Sequence, residues 1–398
     1  MYIGLREKIT VIALAGLALF AYWSFSWLGL GAHPGDYGFK LTASKRTLAA
    51  ELAIRDIKPD AVIVNEVAGD APQEAMIGLP TSPITTDPGS LKAKITSTNP
   101  NFAGVVVSLL RDAGVRQGDA VAVAYTGSFP ALDIATIIAI ETLGATPIVV
   151  SSAGASTWGA NDPELTILDM ESELVRQGMI KHKSLAASLG GDYRVRPMSS
   201  EGRRQAADAI TRNKVVLLNA PSITQSVEQR MIIYKREAGD RPIKAFVNVG
   251  GGLTSTGVGQ DYAPGLTVAP PRGDITVGGL IYRFENDGVP VVNLTDINGL
   301  AQQYRLPVSP ANTPDPGQGA LYRDWTQVRV VAGLLLATLS IVLFAVRFTV
   351  LAPATDEQVD TYFGTAPRTF RTWLKSFGIR LPVRAAPAEA PAPAGEDL

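Results

Sequence analysis

Apolar runs of strand length alternate with stretches of helical periodicity through the middle of the chain. The runs fall at 120–125, 147–150, 215–218, 243–249 and 290–294. Helical spacing of apolar positions falls at 43–56, 101–113, 131–143, 164–177, 200–212 and 223–237. Unbroken apolar strands separated by helices of ten or more residues predict a mostly parallel sheet covered on both faces. The expected fold class is therefore α/β, doubly wound, over a domain at 33–325. The stretch 64–98, rich in Pro, Thr and Ser, reads as loop over the surface.

The ends of the chain carry a different pattern. Residues 9–32 contain no charge, and a bilayer needs roughly 20 apolar residues. Arg6 and Lys8 precede this run, and Tyr22, Trp23 and Trp27 sit in its second half, where interfacial aromatics belong. A cleaved signal peptide would have a shorter apolar region, so an uncleaved anchor is expected. A second span is expected at 328–351, whose apolar centre is bracketed by Arg329 and Arg347. Basic residues follow this span more densely than they precede it, which places both termini in the cytoplasm and the 33–325 domain outside. The remaining segments are a cytoplasmic N-terminus at 1–8, a basic segment at 352–384 and a Pro/Ala-rich tail at 385–398, the last expected to be disordered. Within the basic segment Phe370, Trp373, Leu374 and Phe377 recur at helical spacing, as in a helix lying on an anionic membrane surface or docking a partner.

Composition narrows the chemistry. The 398 residues include no cysteine and two histidines, with 36 Lys+Arg against 37 Asp+Glu. Disulfides, thiolate metal sites and cysteine nucleophiles are thereby excluded. A balanced charge argues against nucleic acid as partner. Neither a metal nor a cofactor is expected: there is no Walker signature, and the Gly-rich stretch at 250–257 misses the dinucleotide fingerprint. A serine–histidine pair would need His182, since His33 adjoins the first span, and the neighbours Lys181 and Lys183 suit an exposed face.

The strand ends hold the candidate site. Each run leads into small, hydroxyl, amide or glycine residues, and ligands of parallel sheets bind outside the carboxyl ends of the strands. Such loops expose backbone N–H groups and helix N-termini, which favour anions. The expected ligand-binding residues are Thr126, Gly127, Ser128, Ser151, Ser152, Ser156, Asn161, Asn248, Gly250, Gly251 and Gly252. Ser128, before Pro130 at the start of a helix, is the best candidate nucleophile, with Asp162 or Asp169 as acid/base. Against this, Asp162 followed by Pro163 and Glu164 also reads as a helix N-cap. Asp169 and Glu173 share a helix face either as a catalytic pair or as solvent-facing acids.

The segments TGSFPALD (126–133), SSAGASTWGANDPELTILDME (151–171), SLGGD (188–192), SEGRR (200–204) and AFVNVGGG (245–252) together resemble the poly-gamma-glutamate system protein family. The resemblance runs from the first span to about residue 310, and the tail after 352 has no counterpart in it. It implies a membrane-anchored accessory component of poly-γ-glutamate capsule biosynthesis or export, with other subunits of that machinery and an anionic polymer as partners. Two alternatives stay open: a hydrolase or transpeptidase acting on γ-glutamyl bonds through Ser128, and a structural membrane subunit of a synthesis complex.

Overall fold

The apolar run near residue 120 forms strand β1 (Ala120–Thr126), and its alternate side chains enter two different cores. Val121, Val123 and Tyr125 pack on one face, and Ala120, Ala122 and Ala124 on the other. A strand buried on both faces belongs at the centre of a parallel sheet. β1 pairs in parallel with β2 (Thr146–Ser152) on one side and β7 (Ile243–Val249) on the other. These contacts belong to a computed structural model that describes residues 35–57, 76–191, 198–268 and 278–323, plus a few helical positions between 333 and 340.

Seven strands make the main sheet, in the order β6-β5-β2-β1-β7-β9-β8. Beyond β2 lie β5 (Ala186–Ser188) and β6 (Val216–Leu217); beyond β7 lie β9 (Val291–Leu294) and β8 (Gly265–Thr267). Only the β8–β9 pair is antiparallel. A separate two-stranded hairpin is formed by β3 (Asn161–Asp162) and β4 (Leu165–Thr166). One face is covered by α1 (Tyr37–Ile57), α3 (Phe102–Asp112), α4 (Pro130–Thr142), α5 (Ile167–Arg176), α6 (Ser200–Arg212) and α10 (Ile297–Gln303). The other carries α7 (Ile223–Ala238) and α9 (Leu280–Asn286). Two short helices complete the order, α2 (Leu91–Ser97) between α1 and α3, and α8 (Leu253–Thr256) after β7.

The α7/α9 core centres on aromatics. Phe246 of β7 stacks on Phe284 with ring centroids 4.5 Å apart, and Tyr234 meets Phe284 at 5.7 Å. On the opposite face, the beginning and end of the described domain are tied together. The Ser44 hydroxyl lies 2.6 Å from the Tyr322 hydroxyl, which donates to Asn101 Oδ1 at 2.7 Å. Tyr37 packs edge-on against the same tyrosine at 6.2 Å.

The mostly parallel α/β sheet agrees with the hydrophobic pattern, and several details differ. The spans expected at 9–32 and 328–351, and the segments 1–8, 352–384 and 385–398, lie outside the described residues apart from the few positions at 333–340. No helix among the described residues is long and apolar enough to cross a membrane. The described part of 64–98 is no surface loop: it contains α2 and buries Met76, Ile77, Ile84 and Lys94. The helix N-cap expected at Asp162 is also displaced. Asp162 belongs to β3, and α5 starts later, with Thr166 and Asp169 forming its capping box.

Phe246→Ala removes one ring of the stack and leaves a cavity between Phe284 and Tyr234, both fully buried. The expected loss of stability is about 3–5 kcal/mol, read from urea unfolding of the purified chain.

Candidate functional site

Strand order reverses at β1. From β1 the chain builds outward through β2, β5 and β6, then returns by α7 to place β7 on the other side. Loops on the two sides of such a reversal diverge and leave a crevice at the carboxyl ends. Here a cavity of about 410 Å³ opens at the ends of β1, β2, β5 and β7. That volume falls in the range of small-molecule sites, roughly 300–1,000 Å³. Its wall mixes polar and apolar groups, with Thr126, Ser128, Ser152, Ser156, Ser188 and Ser255 among the hydroxyls.

One wall comes from the segment before α2, which is laid along the loop after β2. Thr86 N donates to Ala155 O at 2.9 Å, Trp158 N to Leu79 O at 2.9 Å and Thr157 N to Asp87 O at 2.9 Å. The Asn161 side chain clamps the same segment: its Oδ1 accepts from Leu79 N, and its Nδ2 donates to Leu79 O and Thr85 Oγ1. Gly78 allows the close approach, because a Cβ there would sit 1.8 Å from Gly159 O. The clamp delivers α2, with Ser90 at its N-cap, and α2 delivers Lys94 to the cavity.

Lys94 is 2% exposed. Its Nζ donates to the Ser128 carbonyl, lies 2.7 Å from Ser156 Oγ, and sits 4.0 Å from the Phe129 ring centre. Burial lowers its pKa from the usual 10.5 to about 7, against an opposing pull from Asp133. The second cation, Arg230, lies on α7 and is 4% exposed. Long helical side chains lean toward the helix N-terminus, so Arg230 turns back to the carboxyl edge. There it donates to Ser188 Oγ at 3.0 Å and to Ser226 Oγ. The charged residues lining the cavity are Asp87, Lys94 and Arg230.

Two buried carboxyls lie behind this wall. Asp133, in the first turn of α4, is fully buried, and neither carboxyl oxygen has a hydrogen-bond partner among the described residues. Burial, reinforced by Glu171, holds its pKa well above the usual carboxylate range. Glu171 accepts from Tyr125 OH, Ser184 N and Ser184 Oγ, and burial raises it too despite those bonds.

The expected ligand residues divide. Thr126, Ser128, Ser152, Ser156, Asn248, Gly251 and Gly252 line the cavity. Gly127, Ser151, Asn161 and Gly250 are not in its wall; Ser151 bonds Ser184 at 2.7 Å, and Gly250 makes the turn after β7 at φ +82°. Pro130 does open α4 as expected. Ser128 Oγ accepts from Thr126 Oγ1 at 2.7 Å and from Ser156 N at 3.1 Å, so the two serines are neighbours. Neither suggested acid/base partner reaches them. Asp162 Oδ1 accepts from Glu164 N, and Asp169 is tied to Thr166, Arg212 and Asn213. Glu173 pairs with Arg176, and His182 Nδ1 meets Glu141 at 2.9 Å. Lys94 and Arg230 were missed, as was the strand end at Ser188, Gly190 and Gly191, which reads from sequence as a helix cap and turn.

The Lys94 amine gives stability a definite pH dependence. Between about pH 7 and 10.5 the unfolded chain holds a proton that the folded chain has released. Unfolding free energy therefore rises with pH across that window, by at most about 1.4 kcal/mol per unit, and is flat in this contribution below it. Urea unfolding at several pH values should show that slope, and Lys94→Met should remove it.

Comparison with known proteins adds no relative to this geometry: no family model, no curated protein and no solved structure matches the chain.

Proposed function

We propose that the cavity binds a carboxylate-bearing ligand, and that the chain is a membrane-anchored accessory component of poly-γ-glutamate capsule biosynthesis or export. The observation that carries the binding reading is the charge of the wall among the described residues: the fixed cation Arg230 and the titrating amine Lys94, both buried, against one carboxylate, Asp87. Arg230 keeps its charge at any accessible pH, and its guanidinium, held by Ser226, Ser188 and the Ser151 carbonyl, is a planar group that matches a carboxylate. The serine hydroxyls around it supply further donors. The polymer itself enters from the resemblance of segments 126–133, 151–171 and 245–252, and it is a chain of carboxylates.

In this reading, spans at 9–32 and 328–351 hold the 33–325 domain outside the cytoplasmic membrane, with both termini in the cytoplasm. The basic segment at 352–384 faces the inner leaflet or another subunit of the machinery. A fusion reporter inserted near residue 200 should report an extracytoplasmic position; a cytoplasmic signal would end the topology and the polymer assignment together.

Binding is tested by titrating the full-length chain in detergent with short γ-glutamyl oligomers. Saturable binding is expected, weakened about tenfold to a hundredfold by Arg230→Gln, as for loss of a charged hydrogen bond. Equal affinity in the variant, with its unfolding profile unchanged, would remove the cavity as the binding site.

A further inference from the structure

The cavity holds one arrangement that binding alone does not use. Ser156 Oγ, in the cavity wall, lies 2.7 Å from a lysine amine that is 2% exposed. We infer that Ser156 and Lys94 form an acyl-transfer pair that cleaves an amide or ester whose acyl portion carries a carboxylate. Seryl hydroxyls are weak nucleophiles until an adjacent base takes their proton, and lysine serves as that base in known Ser–Lys pairs.

The three neighbours of Lys94 Nζ serve both states of the amine. As an ammonium it donates to the Ser128 carbonyl and to Ser156 Oγ and lies over the Phe129 ring. Once deprotonated it has two N–H donors and one lone pair, so it keeps a donor for the carbonyl and presents the lone pair to the Ser156 hydroxyl proton. Burial supplies the matching acidity, lowering the lysine to about 7, near the optimum for a general base at neutral pH. Among the described residues, the charged group acting on the amine is Asp133 behind it, which pulls the pKa upward, and the cavity wall adds Asp87 and Arg230. Ser128 takes the supporting place: its hydroxyl accepts from Ser156 N and its carbonyl accepts from Lys94, so it fixes both partners.

The step balances with water as the only co-reactant. Ser156 Oγ bonds to the carbonyl carbon while its proton passes to Lys94 Nζ. The carbon–nitrogen or carbon–oxygen bond then breaks, and the Lys94 ammonium protonates the leaving group. Water attacks the acyl-serine, gives a proton to Lys94, and the proton returns to Ser156 Oγ as the acid departs. Substrate selection rests on the proposed anion binding, with Arg230 holding the acyl carboxylate.

The test uses the full-length chain in detergent and an alkyl fluorophosphonate, which phosphonylates activated serines with loss of fluoride. Mass spectrometry of the digest should place the label on Ser156, with a rate that rises through an apparent pKa near 7 to a plateau. Ser156→Ala should abolish that label, and Lys94→Met should slow it about a hundredfold or more. The pH profile of the unaltered chain needs no variant, so it stands even if Lys94→Met unfolds. The same preparation should release p-nitroaniline from γ-glutamyl-p-nitroanilide. A chain that binds γ-glutamyl oligomers but leaves Ser156 unlabelled overturns the pair and spares the binding reading. Loss of both binding and labelling overturns both, and a label on Ser128 overturns the assignment of the nucleophile.

Discussion

Taking an ammonium out of water costs several kcal/mol, and the Lys94 amine is almost wholly out of water. It can meet that cost in two ways, by pairing or by releasing its proton. Its immediate neighbours are a carbonyl, a hydroxyl and an aromatic ring, none of which carries a full negative charge. Asp133 nearby is itself buried and held toward its neutral form. The amine therefore lies close to the balance point between charged and neutral, whereas Arg230 cannot release its proton at all. One cation of the cavity is fixed and the other titrates. That difference allows a single site to hold an anion and to move a proton.

The sheet makes this arrangement possible. Reversal of strand order at β1 opens the crevice, and α7 crosses behind it closely enough for Tyr234 OH to reach the Val123 carbonyl at 2.9 Å. Small residues Ala120, Ala122 and Ala124 on that face leave room for the helix. Arg230 then arrives from α7 on one face of the sheet and Lys94 from the short helix α2. Each comes from a different part of the chain, so neither position is set by local sequence.

That separation explains what the sequence could and could not reveal. β1 and β7 announce themselves as apolar runs because both of their faces are buried, and the hydroxyl and glycine residues at their ends mark the cavity edge. The strand Ala186–Ser188 has three residues and makes no run, so the third wall of the cavity stays hidden. Lys94 sits in a Pro-, Ser- and Thr-rich stretch with no periodicity, and its burial comes from Asn161 and the loop after β2 clamping that stretch. Asn161 looked like a ligand because it is a buried amide beside other polar residues. Its three side-chain hydrogen bonds all go to Leu79 and Thr85 of the chain itself. Asp169 misleads in a similar way, since its carboxylate is occupied by the capping box of α5 and by Arg212 and Asn213.

The Ser44–Tyr322–Asn101 contact has a mechanical meaning. It joins the first helix of the described domain to its last turn, and Tyr37 packs on the same ring. Tension applied between residues 35 and 323 would reach this knot and the contact beside it, where the Lys40 amine donates to the Leu321 carbonyl at 3.5 Å. None of the residues in this fastening belongs to the sheet or lines the cavity, so the ends are tied to each other without drawing on either.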